Sequence, residues 1–315
     1  AKGDLVQFAP EYLHRLNLVT SNATLYQDPE YKMGWDKVRE IYDDLVIAVA
    51  GGSVGNNIAR MIAKDIRPKQ IKVADQRLYK WANANRVDLF YDDLVWSQEL
   101  IGKDFAPTGL KNKAISTAQQ IHKTDPFIKI WAYFLGINSE SIESFINGNK
   151  TEPKADIVVD EMDSLEMKFL IAENCRKSKT ILIRGTDAGS VAQIDILRFD
   201  KYPDLSLAAG ISDENLYQAL GKYRDDKSKK NFFTVADMLL GKEHKAGEFA
   251  RIINDKTPNM FTSIPQLGST AALTAALVTE VAARIPLGFK YPQRFIVDKK
   301  NLELKVFYNE KGVKA

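Results

Sequence analysis

An apolar run, Leu45 to Ala50, leads straight into a glycine turn, Gly51-Gly52-Ser53-Val54-Gly55, and this junction constrains the fold more than any other part of the 315-residue chain. A helix-like stretch follows from about Asn56 to Lys64, and a second apolar run, Ile71 to Ala74, ends on Asp75. Strand, glycine turn, helix, strand and acid make a nucleotide-binding βαβ unit. Glycines let backbone N–H groups approach a phosphate at the helix N-terminus, where the helix dipole favours an anion. An acid at the end of the second strand is placed to accept hydrogen bonds from ribose hydroxyls, and the spacing from Gly52 to Asp75 is close to the ~20 residues such units use. In a GxGxxG frame the positions are Ala50, Gly52 and Gly55, so alanine replaces the first glycine and is expected to narrow the turn without blocking a nucleotide.

Downstream, apolar runs continue to alternate with helix-period segments. This predicts an α/β fold, a Rossmann-like and mainly parallel sheet with helices on both faces. Residues 1–44 read as a polar helical arm, 45–210 as the nucleotide-binding core, 211–260 as a helical insertion or lid, and 261–315 as a helix and hairpin returning to the core. Val191 to Ile196 alternates in a way that suits an added, antiparallel strand. The charge run Lys222 to Lys230 reads as a solvated loop. An alanine-rich helix is expected through Arg284, then a β-hairpin over Arg294 to Tyr308 turning at Asp298 to Asn301.

Composition narrows the function classes. No apolar run approaches the ~18 residues of a membrane span, so no membrane partner is expected. The start, Ala1-Lys2-Gly3-Asp4, lacks signal-peptide character. The net charge of +3 is too small to imply a nucleic-acid partner. A single cysteine, Cys175, excludes a disulfide framework and fits a reducing, cytoplasmic setting. With one cysteine and three scattered histidines, a zinc site of the usual spacing is not expected. Cys175 lies in a helix-like run on an apolar face, which favours a buried thiol over a thioester nucleophile.

The segment after Asp75 distinguishes among nucleotides. Asp75, Asn83, Asn85 and Arg86 resemble, in register, the D-x-D-x-V-x-x-S-N-L-N-R-Q stretch of the E1-like activating enzymes, the ThiF/MoeB/ubiquitin-activating family. Gly109 to Ala114 is similar to that family's G-x-x-K-A element, with the glycine one residue further away. Asp125-Pro126 is similar to its N-P turn, and Ala155 to Ser164 to its strand ending D-x-x-D-N. The resemblance covers roughly residues 34–200. Arg77 stands where the family has a second aspartate, and Val87 where it has glutamine.

The resemblance implies ATP-dependent adenylation of a carboxylate, the C-terminus of a small ubiquitin-like protein or peptide. It implies these roles: Gly51, Gly52 and Gly55 for ribose and phosphate contacts, Asp75 for the ribose, and Asn83, Arg86 and Lys113 for the phosphates. Arg86 and Lys113 would offset charge at the α-phosphate, Asp163 would hold Mg2+, and Arg15 would reach into the partner's site of a homodimer. Read without the resemblance, Asp75 caps a turn, Asn83 makes a local backbone bond, Arg86 pairs with Asp88 or Asp92, and Asp163 caps the next helix with Glu166. Two other classes stay open: a degenerate E1-like scaffold subunit, which Arg77 and Ala50 favour, and an NAD(P)-dependent oxidoreductase.

Overall fold

The computed structural model describes residues 34–80, 83–89, 94–95, 109–208, 211–240 and 266–308. After a first helix, α1 (Trp35–Asp43), the βαβ unit is built as read: β1 (Val46–Ala50), α2 (Val54–Asp65) and β2 (Gln70–Ala74). A two-stranded ribbon follows, β3 (Leu94–Val95) with β4 (Gly109–Leu110), then α3 (Lys113–Thr124) and β5 (Lys129–Tyr133). Next come α4 (Ile142–Asn147), β6 (Ile157–Asp160), α5 (Leu165–Lys177), β7 (Ile181–Ala188) and β8 (Val191–Arg198). The insertion supplies α6 (Asp213–Asp225) and α7 (Lys229–Leu240), and the chain closes with α8 (Gly268–Leu287), β9 (Arg294–Asp298) and β10 (Glu303–Phe307).

The eight-stranded sheet has the order β10-β9-β8-β7-β6-β1-β2-β5. Strands β7, β6, β1, β2 and β5 pair in parallel, while β8, β9 and β10 are added antiparallel. The chain moves outward from β1 through β2 to β5, then returns to the other side of β1 as β6. That reversal opens a crevice at the carboxyl ends of β1 and β6, the place where open α/β sheets bind ligands.

Alternation along the central strands divides the apolar side chains between two cores. Ile47, Val49, Ile71, Val73, Ile157 and Val159 pack against α1, α2, α3 and α8. Ala48, Ala50, Ala74, Val158 and Leu182 face α4, α5, α6 and α7. Ile47, Ile58, Ile62 and Ile71 are each 0% exposed, and a side chain of that size contributes roughly 1.5–3 kcal/mol when fully buried. The insertion is thus part of the second core, through Leu216, Leu220, Val235 and Leu239.

Two expectations change. Ala50, in place of the first glycine, does not narrow the crevice, because its methyl packs into the second core. And α8 is a helix long and apolar enough to cross a membrane by length and composition, contrary to the reading of the sequence. Its Ala271, Ala275, Val278 and Ala282, however, are 0% exposed and pack in the first core, where Tyr42 of α1 also donates to the Ala283 carbonyl at 3.2 Å.

Candidate functional site

The glycine turn sits at the floor of the crevice. Gly51 has φ +103°, a left-handed conformation open to glycine, and its N–H donates to the Ala74 carbonyl at 2.9 Å. A Cβ on Gly52 would lie 2.6 Å from the Lys113 Cβ and 3.0 Å from the Asp75 Cβ. Glycine here lets Asp75 and Lys113 close onto the turn. Gly55 lies in the first turn of α2, against Val49.

Asp75 leaves the end of β2 and accepts from two backbone donors: Gly52 N–H at 2.8 Å to Oδ2 and Arg77 N–H at 2.7 Å to Oδ1. The Lys113 Nζ stands 3.9 Å from the same Oδ2 and 5.9 Å from the Tyr79 ring centroid. Lys113 begins α3 and is only 6% exposed. Burial lowers its pKa, opposed by the Asp75 and Asp163 carboxylates; Arg77 and Arg86 also lower it. These five charges therefore gather around one crevice. Asn112, which the sequence reading passed over, ties the walls together. Its Oδ1 caps α3 by accepting from Ala114 and Ile115, and its Nδ2 donates to the Asp75 and Phe134 carbonyls.

Arg86 enters from the other side. Its Nε donates to the Ser53 Oγ at 2.9 Å and its Nη1 to the Asn85 Oδ1 at 2.9 Å. Ser53 is the N-cap residue of α2, yet its side chain does not cap; it receives Arg86 instead. The turn carrying Arg86 is fixed locally. The Asn83 Oδ1 accepts from Lys80 N–H at 2.8 Å, Asn57 donates to the Arg86 carbonyl, and Asn85 donates to the Gln266 carbonyl. Asn83 is 6% exposed and makes the local backbone bond; Asp88 pairs with Arg60, not Arg86. A cavity of about 310 Å³ opens on the outer side of Arg86, between α2, this turn and the start of α8.

The end of β6 carries three acids with three settings. Asp160 is 0% exposed, and its carboxylate takes Arg184 Nε at 3.0 Å and Lys168 Nζ at 3.4 Å. Burial pushes its pKa up, and Lys168 and Arg184 more than offset that, leaving it below the ordinary carboxylate range. Asp163 is 77% exposed and pairs with Arg77 across the mouth of the crevice at 3.3 Å. It does not cap α5; Ser164 does, accepting from Met167 N–H. Glu161 turns inward, against Gly185 and Thr274. Burial raises its pKa well above the usual value, with the Asp187 charge adding to the rise. Burial also lifts Asp187 to about 7, while Arg86 pulls the other way. Asp187 Oδ1 accepts from Gln266 Nε2 at 2.9 Å; Glu161 Oε1, Asp187 Oδ2 and Thr274 Oγ1 are buried without a hydrogen-bond partner among the described residues.

Neither Glu161 nor Asp187 carries a local signal in the sequence, since β6 and β7 bring them together only on pairing. Cys175 is 0% exposed in α5, and burial raises its thiol far above the ordinary value. Such a thiol yields little nucleophilic thiolate. Arg15 lies outside the described residues.

Comparison with known proteins agrees with this fold. Crystal structures of selenomethionine PaaA and of E. coli MccB with ATP share the fold. PaaA superposes with a TM-score of 0.60 at 11% identity, over 96% of this chain and 84% of that one. MccB superposes at 0.59 and 16% identity, over 93% and 71%. The uncharacterized Mycobacterium tuberculosis (strain CDC 1551 / Oshkosh) protein MT1398 is 28% identical over 247 residues. That match spans 78% of this chain but 30% of the curated relative. The ThiF family model matches residues 32–308, nearly the whole of the fold described above, and the chain belongs to the ThiF family.

Proposed function

We propose that this chain adenylates a carboxylate with ATP. One carboxylate oxygen attacks the α-phosphorus, the bond to the bridging oxygen of the β-phosphate breaks, and an acyl-adenylate and pyrophosphate result. The observation that carries the reading is the convergence of Lys113, Arg86 and Arg77 with Asp75 on the glycine turn. Little covalent work then falls to the protein, because positioning and charge neutralisation carry the step.

Asp75 holds the ribose, its carboxylate already fixed by two backbone donors. Gly51, Gly52 and Gly55 line the turn with no side chain, so ribose and phosphate can come close to its backbone, while the Gly51 and Gly52 N–H groups hold the turn to Ala74 and Asp75. Lys113 and Arg86 neutralise the phosphates; Asn83 supports that end by holding the turn that presents Arg86. The exposed apolar side chains Phe134 and Leu135, in the loop after β5 whose Gly136 abuts Gln76, offer a surface for the base. Among the described residues no three His, Cys, Asp or Glu side chains gather into a metal cage. Mg2+ suits Asp163 in the way it suits many nucleotide sites, through one carboxylate, phosphate oxygens and water. Bound there, it would offset phosphate charge.

The carboxylate is the C-terminus of a small ubiquitin-like protein or peptide. A bound partner supports this reading by analogy: the structural neighbour MccB has been solved in complex with MccA, once with AMPCPP beside it. With Cys175 sealed in the core, the product leaves as the adenylate and not through a thioester. Arg15 completes the phosphate end in a homodimer partner. A degenerate scaffold would have a damaged phosphate end; the presence of Lys113 and Arg86 beside the glycine turn supports the active reading.

ATP–pyrophosphate exchange over a panel of peptide and protein C-termini tests the reading. Exchange that depends on a carboxylate substrate, and that Lys113→Ala lowers by about 10²–10³-fold, is the expected result. Absence of exchange with every C-terminus, alongside tight NADH binding, would move the chain to the oxidoreductases.

A further inference from the structure

We infer that Arg77 competes with the metal ion for Asp163, and so sets how strongly nucleotide binding depends on Mg2+. The inference rests on the adenylation reading. Arg77 is held at the lip of the crevice by its own backbone: its N–H donates to Asp75 Oδ1 at 2.7 Å, and its carbonyl accepts from Lys113 N–H at 3.0 Å. One residue thus bridges the ribose acid and the phosphate lysine. From that fixed point its side chain crosses the mouth of the crevice and reaches Asp163 Oδ2 at 3.3 Å.

Three features make the pair an exchangeable strap. Its side chains are 60% and 77% exposed, and exposed ion pairs are weak and readily swapped for other partners. Asp163 owes nothing to α5, whose cap is Ser164. Arg77 owes its position to backbone bonds, so its guanidinium can move while its Cα stays.

The charge balance follows. A bare carboxylate at Asp163 repels triphosphate oxygens, and the guanidinium of Arg77 offsets that repulsion when no metal is present. Mg2+ entering with the nucleotide would be held by the same carboxylate and would supply the positive charge there in place of Arg77. Arg77 is then released toward the phosphates, which its planar fork of donors suits. One cation replaces the other at Asp163, and neither is lost from the site.

The test is calorimetric titration with α,β-methylene-ATP, from EDTA to millimolar Mg2+, on the wild-type chain, Arg77→Ala and the double variant Arg77→Ala/Asp163→Asn. Melting without ligand checks that the variants fold. Arg77→Ala is expected to weaken metal-free binding about fivefold and to lower the half-saturating Mg2+ about fivefold, the scale of one exposed ion pair. The double variant is expected to recover metal-free binding and to lose most of its response to Mg2+. An Arg77→Ala protein whose metal-free affinity and Mg2+ midpoint both match wild type overturns the competition, and so does a raised midpoint. A wild-type chain that binds no analogue with or without Mg2+ overturns the adenylation reading itself, an outcome distinct from either.

Discussion

Asp160 and Asp163 leave the same end of β6 and have opposite fates. Asp160 faces the second core, where two cations hold it and solvent does not reach it. Asp163 faces the crevice, where one exposed arginine is its partner. The difference lies in burial. A charge removed from water must keep its partners, so it serves the fold. A charge left in water gains little from pairing and stays available to a ligand. Between them Glu161 is neither: it is buried without a compensating cation in contact among the described residues, and its environment favours the protonated form.

The largest expected effect is at Asp160. Asp160→Ala leaves Arg184 buried without its carboxylate, and denaturant unfolding should show a loss of about 3–5 kcal/mol. Asp163→Asn should change stability by no more than about 0.5 kcal/mol. If the two variants were equally destabilised, burial would not be what separates these acids.

Gly185→Ala comes next. Its added Cβ would collide with the Glu161 carboxyl and crowd Thr274, so Glu161 must move. The expected loss is about 1–3 kcal/mol, the usual range for forcing an extra methyl into a packed site. Shortening the acid in a Gly185→Ala/Glu161→Ala double variant should recover part of that loss. No recovery would mean the clash lies with Thr274 or the backbone.

The acids also differ in the sign of their pH dependence. Asp160 has a depressed pKa, so its contribution is present above the ordinary carboxylate value and fades as pH falls through the depressed one. Asp187 is raised to about 7, so the folded state binds its proton more tightly than the unfolded chain does. Its contribution is full below about pH 4 and is lost as pH rises toward 7. Asp187→Asn should therefore gain on wild type between pH 5 and pH 8, by about 1–2 kcal/mol. A gain that shrinks as pH rises would contradict the assignment. Glu161 shares this sign, since burial and the nearby Asp187 charge both raise it.

Much of this molecule is legible in the sequence. The βαβ unit, the added antiparallel strand at Val191 and the terminal hairpin all follow from period and turn chemistry. So do Asp75 at the end of β2 and Lys113 at the start of α3, because both positions are local to a motif. What escapes is set by contacts between distant segments. The Arg77–Asp163 pair joins residues 86 apart. The Glu161–Asp187 pair exists because β6 and β7 lie side by side and Gly185 leaves room. Ala50 misleads for a similar reason: the motif names the position, but strand alternation decides that its methyl faces the second core. The helix cap is misjudged by one residue, since Asp163 and Ser164 are both good caps by type and only backbone geometry selects Ser164.

The most direct test of the central claim is calorimetric titration of Mg2+ with α,β-methylene-ATP, and separately of NADH, against the wild-type chain and Asp75→Ala, Lys113→Ala and Asp163→Asn. An adenylating site should bind the ATP analogue, lose that binding in Asp75→Ala and Lys113→Ala, and lose its Mg2+ dependence in Asp163→Asn. Saturable binding of NADH in place of the ATP analogue, or analogue binding indifferent to Lys113, would contradict it.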